Sequence, residues 1–343
     1  MPDLLSTYDL LKAEISAALR SDLSEEEFET LALRAYAFQR QWNEPYARFC
    51  ATRPEPRRWK EIPAVPQSAF KRARLSCVPA ERIGKTFRTS GTTGETRGEH
   101  HFADTELYET ALLAGWRAQN FPRWRQVIFA LRPEEAPHSS LSHMFGTLAA
   151  ECAEPQTWVL TAEGQIDFAA LEAALADPRP VALLGTALAF LNFFEQSTAS
   201  FRLPEGSFAM ETGGYKGSGR SLPKAELYAL FAERFGLEED AVWNEYGMTE
   251  LSSQGYTHGL GRPHHTPPWL RTVIIDPASG AEVAIGETGV LRLFDLANLN
   301  SVLALETQDL AIRREPGFDL LGRDPAALPR GCSRAVDELL RRS

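Results

Sequence analysis

An α/β fold built on a mostly parallel sheet, flanked by helices and followed by a smaller β-rich part, is what this sequence predicts. Three observations carry the prediction. Between residues 105 and 330 helix-like and strand-like runs alternate, and the strand-like runs are short, apolar and bounded by polar residues. After residue 270 extended runs follow one another, separated by Pro277 and Ser279-Gly280. The first fifty residues, by contrast, show only helical spacing. A chain of 343 residues with 43% hydrophobic content can bury a large core in one large domain or two.

Leu4, Tyr8, Leu11 and Ile15 recur at helical intervals, as do Phe28, Leu31, Ala35 and Phe38. Ser24 followed by Glu27 has the form of a capping box that starts the second of these helices. Pro54, Pro56, Pro63 and Pro66 then break the pattern, and 59–66 reads as an extended linker because each proline pushes its predecessor out of the helical region. Residues 107–119 and 168–175 read as helices. Residues 127–131, 158–160 and 181–185 read as buried strands, and 271–275 and 289–293 as strands of the β-rich part. The run 188–194 reads as a core helix, with an acyl-binding pocket as the second reading. The divisions that follow are a helical region with a proline-rich entry (1–85), an α/β core (86–270), a β-rich subdomain (271–322) and a short tail (323–343).

Charge narrows the function. The formal net charge is −10, from 36 basic and 46 acidic residues, which argues against a dedicated nucleic-acid binder. No run of 18 apolar residues and no leader-like start occurs, so a soluble, cytoplasmic protein is expected. Four cysteines without Cys-x-x-Cys spacing point to neither a zinc site nor a disulfide framework.

The densest chemical signal is Thr89-Ser90-Gly91-Thr92-Thr93-Gly94-Glu95-Thr96-Arg97-Gly98. Glycines let a backbone turn its N–H groups inward to cradle phosphate oxygens, and the hydroxyls add donors without bulk. It is not a Walker loop, since no Lys and Ser/Thr follow the second glycine. A second segment, Asn244-Glu245-Tyr246-Gly247-Met248-Thr249-Glu250, sets an aromatic ring, a hydroxyl and a carboxylate close together. Such a trio can stack on a purine, bond a phosphate and hold Mg²⁺. A third comprises Thr307-Gln308-Asp309-Leu310 and, further on, Gly322-Arg323.

In order and kind these three segments resemble the motifs of the acyl-adenylate-forming enzymes: acyl-CoA synthetases, peptide-synthetase adenylation domains and luciferases. The resemblance covers most of the chain. It implies the large N-terminal domain of that fold, with ATP and Mg²⁺ as cofactors. Thr89, Ser90, Gly91, Thr92, Thr93, Gly94 and Arg97 would then hold phosphate. Gly213, Gly214 and Tyr215 would lay backbone against adenine, with Tyr246 and Gly247 beside it. Thr249 would touch phosphate, Glu250 would ligate Mg²⁺, Asp309 would bond the ribose hydroxyls, and Arg323, at the hinge, would reach ribose or phosphate. Gln308 stands where the family has glycine, which puts the local turn geometry in question, and Thr96-Arg97 replaces its usual Pro-Lys. His143 falls where the family often has a substrate-side residue. His100-His101 and His264-His265 are expected to face solvent.

Family members ordinarily continue past the Gly-Arg hinge into a lid domain with a catalytic lysine, whereas residues 324–343 contain no lysine. Those residues do hold Arg330-Gly331-Cys332-Ser333-Arg334. Ser333 can cap a terminal helix, placing Cys332 at its positive end between two arginines, and both effects favour thiolate. That ending, with Ile62-Pro63, Pro66 and Phe70-Lys71 earlier, resembles the acyl-protein synthetase (LuxE) family. The resemblance implies activation of a fatty acid and loading of the acyl group on Cys332 for delivery to a partner such as an acyl reductase or acyl carrier. Two rivals share the motifs: an acyl- or aryl-CoA ligase of the phenylacetate type, and a degenerate, non-catalytic nucleotide-binding subunit. Cys50, Cys77 and Cys152 sit in core-like or linker-like runs and receive no role.

Overall fold

The computed structural model describes residues 4–90, 96–152, 154–213, 222–323 and 338–340. The chain folds as two compact units that interleave in sequence. Unit 1 comprises Met1–Ala118, Met248–Gln254 and Pro263–Ser343, and unit 2 comprises Gln119–Gly247 and Gly255–Arg262.

Unit 1 begins with α1 (Leu4–Ala18), α2 (Glu25–Trp42) and α3 (Glu44–Cys50). The capping box forms as the sequence predicts: Ser24 accepts from the Glu27 amide, and the Glu27 carboxylate accepts from the Ser24 amide. The apolar stripe of α2 is buried, with Phe28 edge-on to Trp59 at 5.4 Å and Trp59 edge-on to Phe294 at 4.9 Å. The region 59–66 departs from the linker reading. Trp59–Glu61 forms one 3₁₀ turn, and Val65–Pro66 is a short strand, β1, parallel to a later strand with Val65 opposite Leu305. The prolines forbid helix, but an edge strand accepts proline, and burial of Trp59 holds the segment down. A hairpin of β2 (Lys85–Arg88) and β3 (Glu99–Phe102) brackets the glycine-rich loop, and α4 (Glu106–Ala118) follows.

Unit 2 runs β4 (Arg125–Phe129), α5 (Ser140–Glu151), β5 (Gln156–Trp158), α6 (Phe168–Leu175), β6 (Val181–Thr186), α7 (Ala187–Gln196), β7 (Phe208–Thr212), α8 (Lys224–Phe235), β8 (Val242–Tyr246) and β9 (Gly255–His258). The sheet order is β5-β4-β6-β7-β8-β9, parallel throughout except for β9. Strands covered on both faces read as continuous apolar runs, and the first five residues of β6 are all buried. The run 188–194 belongs to α7 and is core: Phe190 lies 4.8 Å from Phe129 and from Phe231, and Phe193 stacks on Phe235 at 5.2 Å. Gly236 closes α8 in the left-handed region at φ 68°, a conformation that favours glycine.

The chain completes unit 1 with β10 (Leu270–Ile275), β11 (Thr288–Asp295), β12 (Ala304–Arg313) and β13 (Phe318–Arg323). These form one sheet in the order β1-β12-β11-β10, with β13 also paired to β12. No helix of the described residues is long and apolar enough to cross a membrane.

Candidate active site

In unit 1, the glycine-rich loop is closed at its base by two hydrogen bonds between its ends. The Thr89 amide donates to the Gly98 carbonyl (2.9 Å), and the Gly98 amide donates to Thr89 Oγ1 (2.8 Å). A Cβ on Gly98 would lie 3.1 Å from the Thr89 methyl and 3.3 Å from Phe70 Cβ, so any side chain would crowd this neck. Ser90 and Arg97 are exposed at its rim. Gly91, Thr92, Thr93 and Gly94 lie outside the described residues.

His100, on β3 just past the loop, is fully buried, and His101 and His264 are buried too; only His265 of these four is exposed. Solvent exposure is thus corrected for three of the four. Alternate strand residues face opposite ways, but both faces of the β2–β3 hairpin are covered, and the rings find partners: Thr86 Oγ1 for His101 Nδ1 (3.0 Å), and two groups for His100. His100 Nδ1 is 2.9 Å from the Thr249 carbonyl oxygen, and Nε2 is 2.9 Å from Ser301 Oγ. A carbonyl only accepts, so Nδ1 carries the proton and Nε2 accepts from the serine. Burial pushes the imidazole pKa down to about 3, so the ring is neutral.

Glu250, next in sequence, has its backbone carbonyl bonded by Asn298 Nδ2 at 2.8 Å. Asn298 belongs to a connection, 295–303, in which every residue is buried. A buried loop needs partners for its polar groups, and much of this one finds them in neighbouring segments of the chain. Asp295 accepts from the amides of Ser252 (3.0 Å), Ser253 (2.9 Å) and Ala297 (3.0 Å) and from Ser253 Oγ (2.7 Å). Gln39 of α2 donates to the Asn298 carbonyl (2.9 Å) and accepts from the Leu303 amide (2.8 Å). The segment 248–253 is therefore clamped on one side by β3 and on the other by a polar core.

Asp309 and Arg323 are cross-strand partners on β12 and β13, and Arg323 Nε donates to Asp309 Oδ1 at 3.1 Å. Arg323 Nη2 also reaches Gln67 Oε1 at 3.0 Å. Gln308 lies inside β12, and Asn120 is the one non-glycine among the described residues with positive φ. The side chain at 308 therefore costs nothing, because no turn occurs there. Among the described residues no three His, Cys, Asp or Glu side chains converge as a metal cage. One buried carboxylate, Glu250, fits the way Mg²⁺ rides on nucleotide phosphates, with one or two protein carboxylates and water.

In unit 2, the motif residues stand at the carboxyl ends of β7 and β8, the edge at which open α/β sheets bind ligands. Tyr246 is buried at the end of β8. Gly213 has φ 70° with open space where a Cβ would be, and Gly214 and Tyr215 lie outside the described residues. Two cross-strand side-chain pairs lock the strand ends together. Glu211 and Asn244 are opposite each other, with Asn244 Nδ2 donating to Glu211 Oε1 at 2.8 Å; Thr212 and Glu245 are opposite each other, with the threonine hydroxyl donating to Glu245 Oε2. Burial pushes both carboxyls up to about 7. Tyr228 and Lys224 complete the cluster, bonding Glu211 (3.3 Å) and Asn244 (3.0 Å). His143 sits half-buried in the first turn of α5, its amide bonded to the Ser139 carbonyl.

A family model described as acyl-protein synthetase, LuxE, matches residues 7–340. The chain belongs to the LuxE family of acyl-protein synthetases. The long-chain-fatty-acid–luciferin-component ligase of Aliivibrio fischeri is 22% identical over 339 residues, covering 91% of this chain and 88% of that protein. Among solved structures, an open 2-hydroxyisobutyryl-CoA ligase holding 2-HIB-AMP and CoA is similar with a TM-score of 0.63 at 16% identity, over 89% of this chain and 71% of its own. An ATP-bound RpMatB–BxBclM chimera is similar with a TM-score of 0.51 at 20% identity, over 72% of this chain and 49% of its own. The LuxE-family chain thus matches about half the length of that structure. These likenesses give the fold of the adenylate-forming enzymes.

The LuxE-family tail is described only at 338–340, and Cys332 lies outside the described residues. Glu338 pairs with Arg53 of the loop after α3 (2.8 Å), and Arg48 donates to the Leu339 carbonyl (2.9 Å). Cys50 and Cys77 are buried, and burial pushes both thiols upward, Cys50 to about 11; Cys152 is half-buried, with Sγ 3.1 Å from the Trp124 carbonyl. Residue patterns alone do not single out His100, Asn298, Asp295 or Glu245. Polar residues between two apolar runs read as surface loop, and only their long-range partners reveal a scaffold.

Proposed function

We propose that this chain activates a carboxylic acid, of the fatty-acid class, with ATP and passes the acyl group to its own Cys332 for delivery to a partner reductase or acyltransferase. The observation that carries this reading is the His100–Thr249 bond. It joins the strand leaving the glycine-rich loop to the Thr-Glu pair, so two motifs expected to share a polyphosphate share one rigid framework. Family membership supports the acid–thiol ligase class.

The roles are those that the motif resemblance implies. Backbone amides and hydroxyls of the 89–98 loop, with Arg97 and Thr249, hold the phosphates and offset their charge. Glu250 would hold Mg²⁺, which when bound withdraws charge from phosphate oxygens. Asp309, an acceptor, bonds ribose hydroxyls, and Arg323 fixes its orientation. By the same resemblance, Tyr246 and the backbone at Gly213 would bind the base. The substrate carboxylate oxygen attacks the α-phosphorus, the bond from that phosphorus to the bridging oxygen breaks, and pyrophosphate leaves. The Cys332 thiolate then attacks the acyl carbon, a thioester forms and AMP departs. An acceptor on the same chain removes a bimolecular search.

Acid-dependent exchange of pyrophosphate into ATP tests the first half. Exchange with fatty acids is expected, and Glu250→Gln is expected to reduce it by roughly 100-fold or more. No exchange with any acid, even with a cognate reductase added, would make the chain a non-catalytic nucleotide-binding subunit. Acyl-CoA formation that survives Cys332→Ala would make it a CoA ligase.

A further inference from the structure

We propose that His100 is a positioning residue for nucleotide binding, acting through its Nδ1–H bond to the Thr249 carbonyl. The proposal rests on the ATP-dependent reading above. The ring is fully buried, edge-on to Phe70 at 5.7 Å and packed on Phe102 at 4.1 Å, so it has little freedom to turn. Its two nitrogens are committed to different elements: Nδ1 to the segment carrying Thr249 and Glu250, and Nε2 to Ser301 in the buried 295–303 connection. The imidazole is therefore a spacer that sets the distance between the strand leaving the glycine-rich loop and the Thr249–Glu250 peptide. Asn298, bonding the next carbonyl, fixes the same segment from the far side. Loss of the Nδ1 bond removes the side-chain donor to the carbonyl of the half-buried Thr249, and Thr249 and Glu250 move with their backbone.

Asparagine and glutamine separate the two ring bonds. An asparagine amide nitrogen takes the Nδ1 position and can keep the bond to the Thr249 carbonyl, while a glutamine amide oxygen reaches the Nε2 position and keeps only the bond accepted from Ser301. The measurement is steady-state ATP–pyrophosphate exchange together with direct ATP binding by calorimetry, on the full chain, with thermal melts on the same samples. His100→Asn is expected to keep the KM for ATP within about threefold of wild type. His100→Gln is expected to raise it by roughly tenfold or more, with a smaller change in kcat. Ser301→Ala removes the Nε2 partner alone and is expected to stay within about twofold, which keeps the test decisive if either histidine variant fails to fold. Asparagine and glutamine variants that lose ATP affinity alike, or a Ser301→Ala variant as impaired as the glutamine variant is expected to be, overturn the proposal. Absence of exchange and of ATP binding in the wild type overturns the ATP reading on which it stands.

Discussion

Gly247 carries no side chain because the Glu245 carboxylate folds back into the space, and an added Cβ would meet Glu245 Oε1 at 2.3 Å. Gly247→Ala must displace a buried carboxyl that accepts the Thr212 hydroxyl. A loss of about 1–3 kcal/mol in chemical denaturation is expected. Glu245 itself supplies a pH signature. Burial raises its pKa from an ordinary 4.5 to about 7, so between those values the folded state holds a proton that the unfolded state has released. Its contribution is fully favourable below about pH 4.5 and is lost as pH rises through 7. Glu245→Gln removes the titration. Denaturation midpoints of the variant are therefore expected to gain on wild type between pH 5 and pH 8, and parallel curves would contradict the assignment. Glu211, raised in the same direction by burial, leaves a residual slope in the variant.

At the scale of elements, the connection 295–303 is the least ordinary piece of unit 1, because loops normally run over the surface. Asp295 is fully buried, and that burial pushes its pKa up to about 6 in spite of four donors. Asn298 donates to the Glu250 and Val302 carbonyls and accepts from Ser252 Oγ (2.6 Å). Asn298→Ala strands all three and is expected to destabilise by about 2–4 kcal/mol, read by urea titration. The tail gives a different kind of test. Six residues, at most about 20 Å of chain, separate Cys332 from Glu338, and Glu338 and Leu339 are anchored by Arg53 and Arg48. Arg53→Ala is expected to slow acylation of Cys332 several-fold while leaving pyrophosphate exchange intact, and charge reversal at both positions (Arg53→Glu with Glu338→Arg) is expected to restore it.

Across the whole molecule, what could be read from residues is what depends on short-range pattern. The capping box at Ser24, the helix at Phe168–Leu175 and the parallel strands at Arg125–Phe129 and Val181–Thr186 each follow from spacing that local physics enforces. The extended segment near Pro66 was only half legible, since its prolines exclude helix while its pairing with β12, some 240 positions away, leaves no local mark. His100 and His101 misled for a related reason: a histidine pair reads as polar, and only the covering of both hairpin faces buries it. The motif residues Thr89, Thr249, Glu250, Asp309 and Arg323 stand out one by one as candidates, but the buried scaffold of His100, Asn298 and Asp295 around residues 249–253 does not. Its partners sit 40 to 200 positions apart.

Intact-mass spectrometry of the full chain after incubation with ATP, Mg²⁺ and a long-chain fatty acid bears most directly on the central claim. The expected product is a single acyl adduct, removed by hydroxylamine, mapping to Cys332 and absent from Cys332→Ala. An unmodified mass alongside active pyrophosphate exchange, or an adduct that persists in Cys332→Ala, would contradict it.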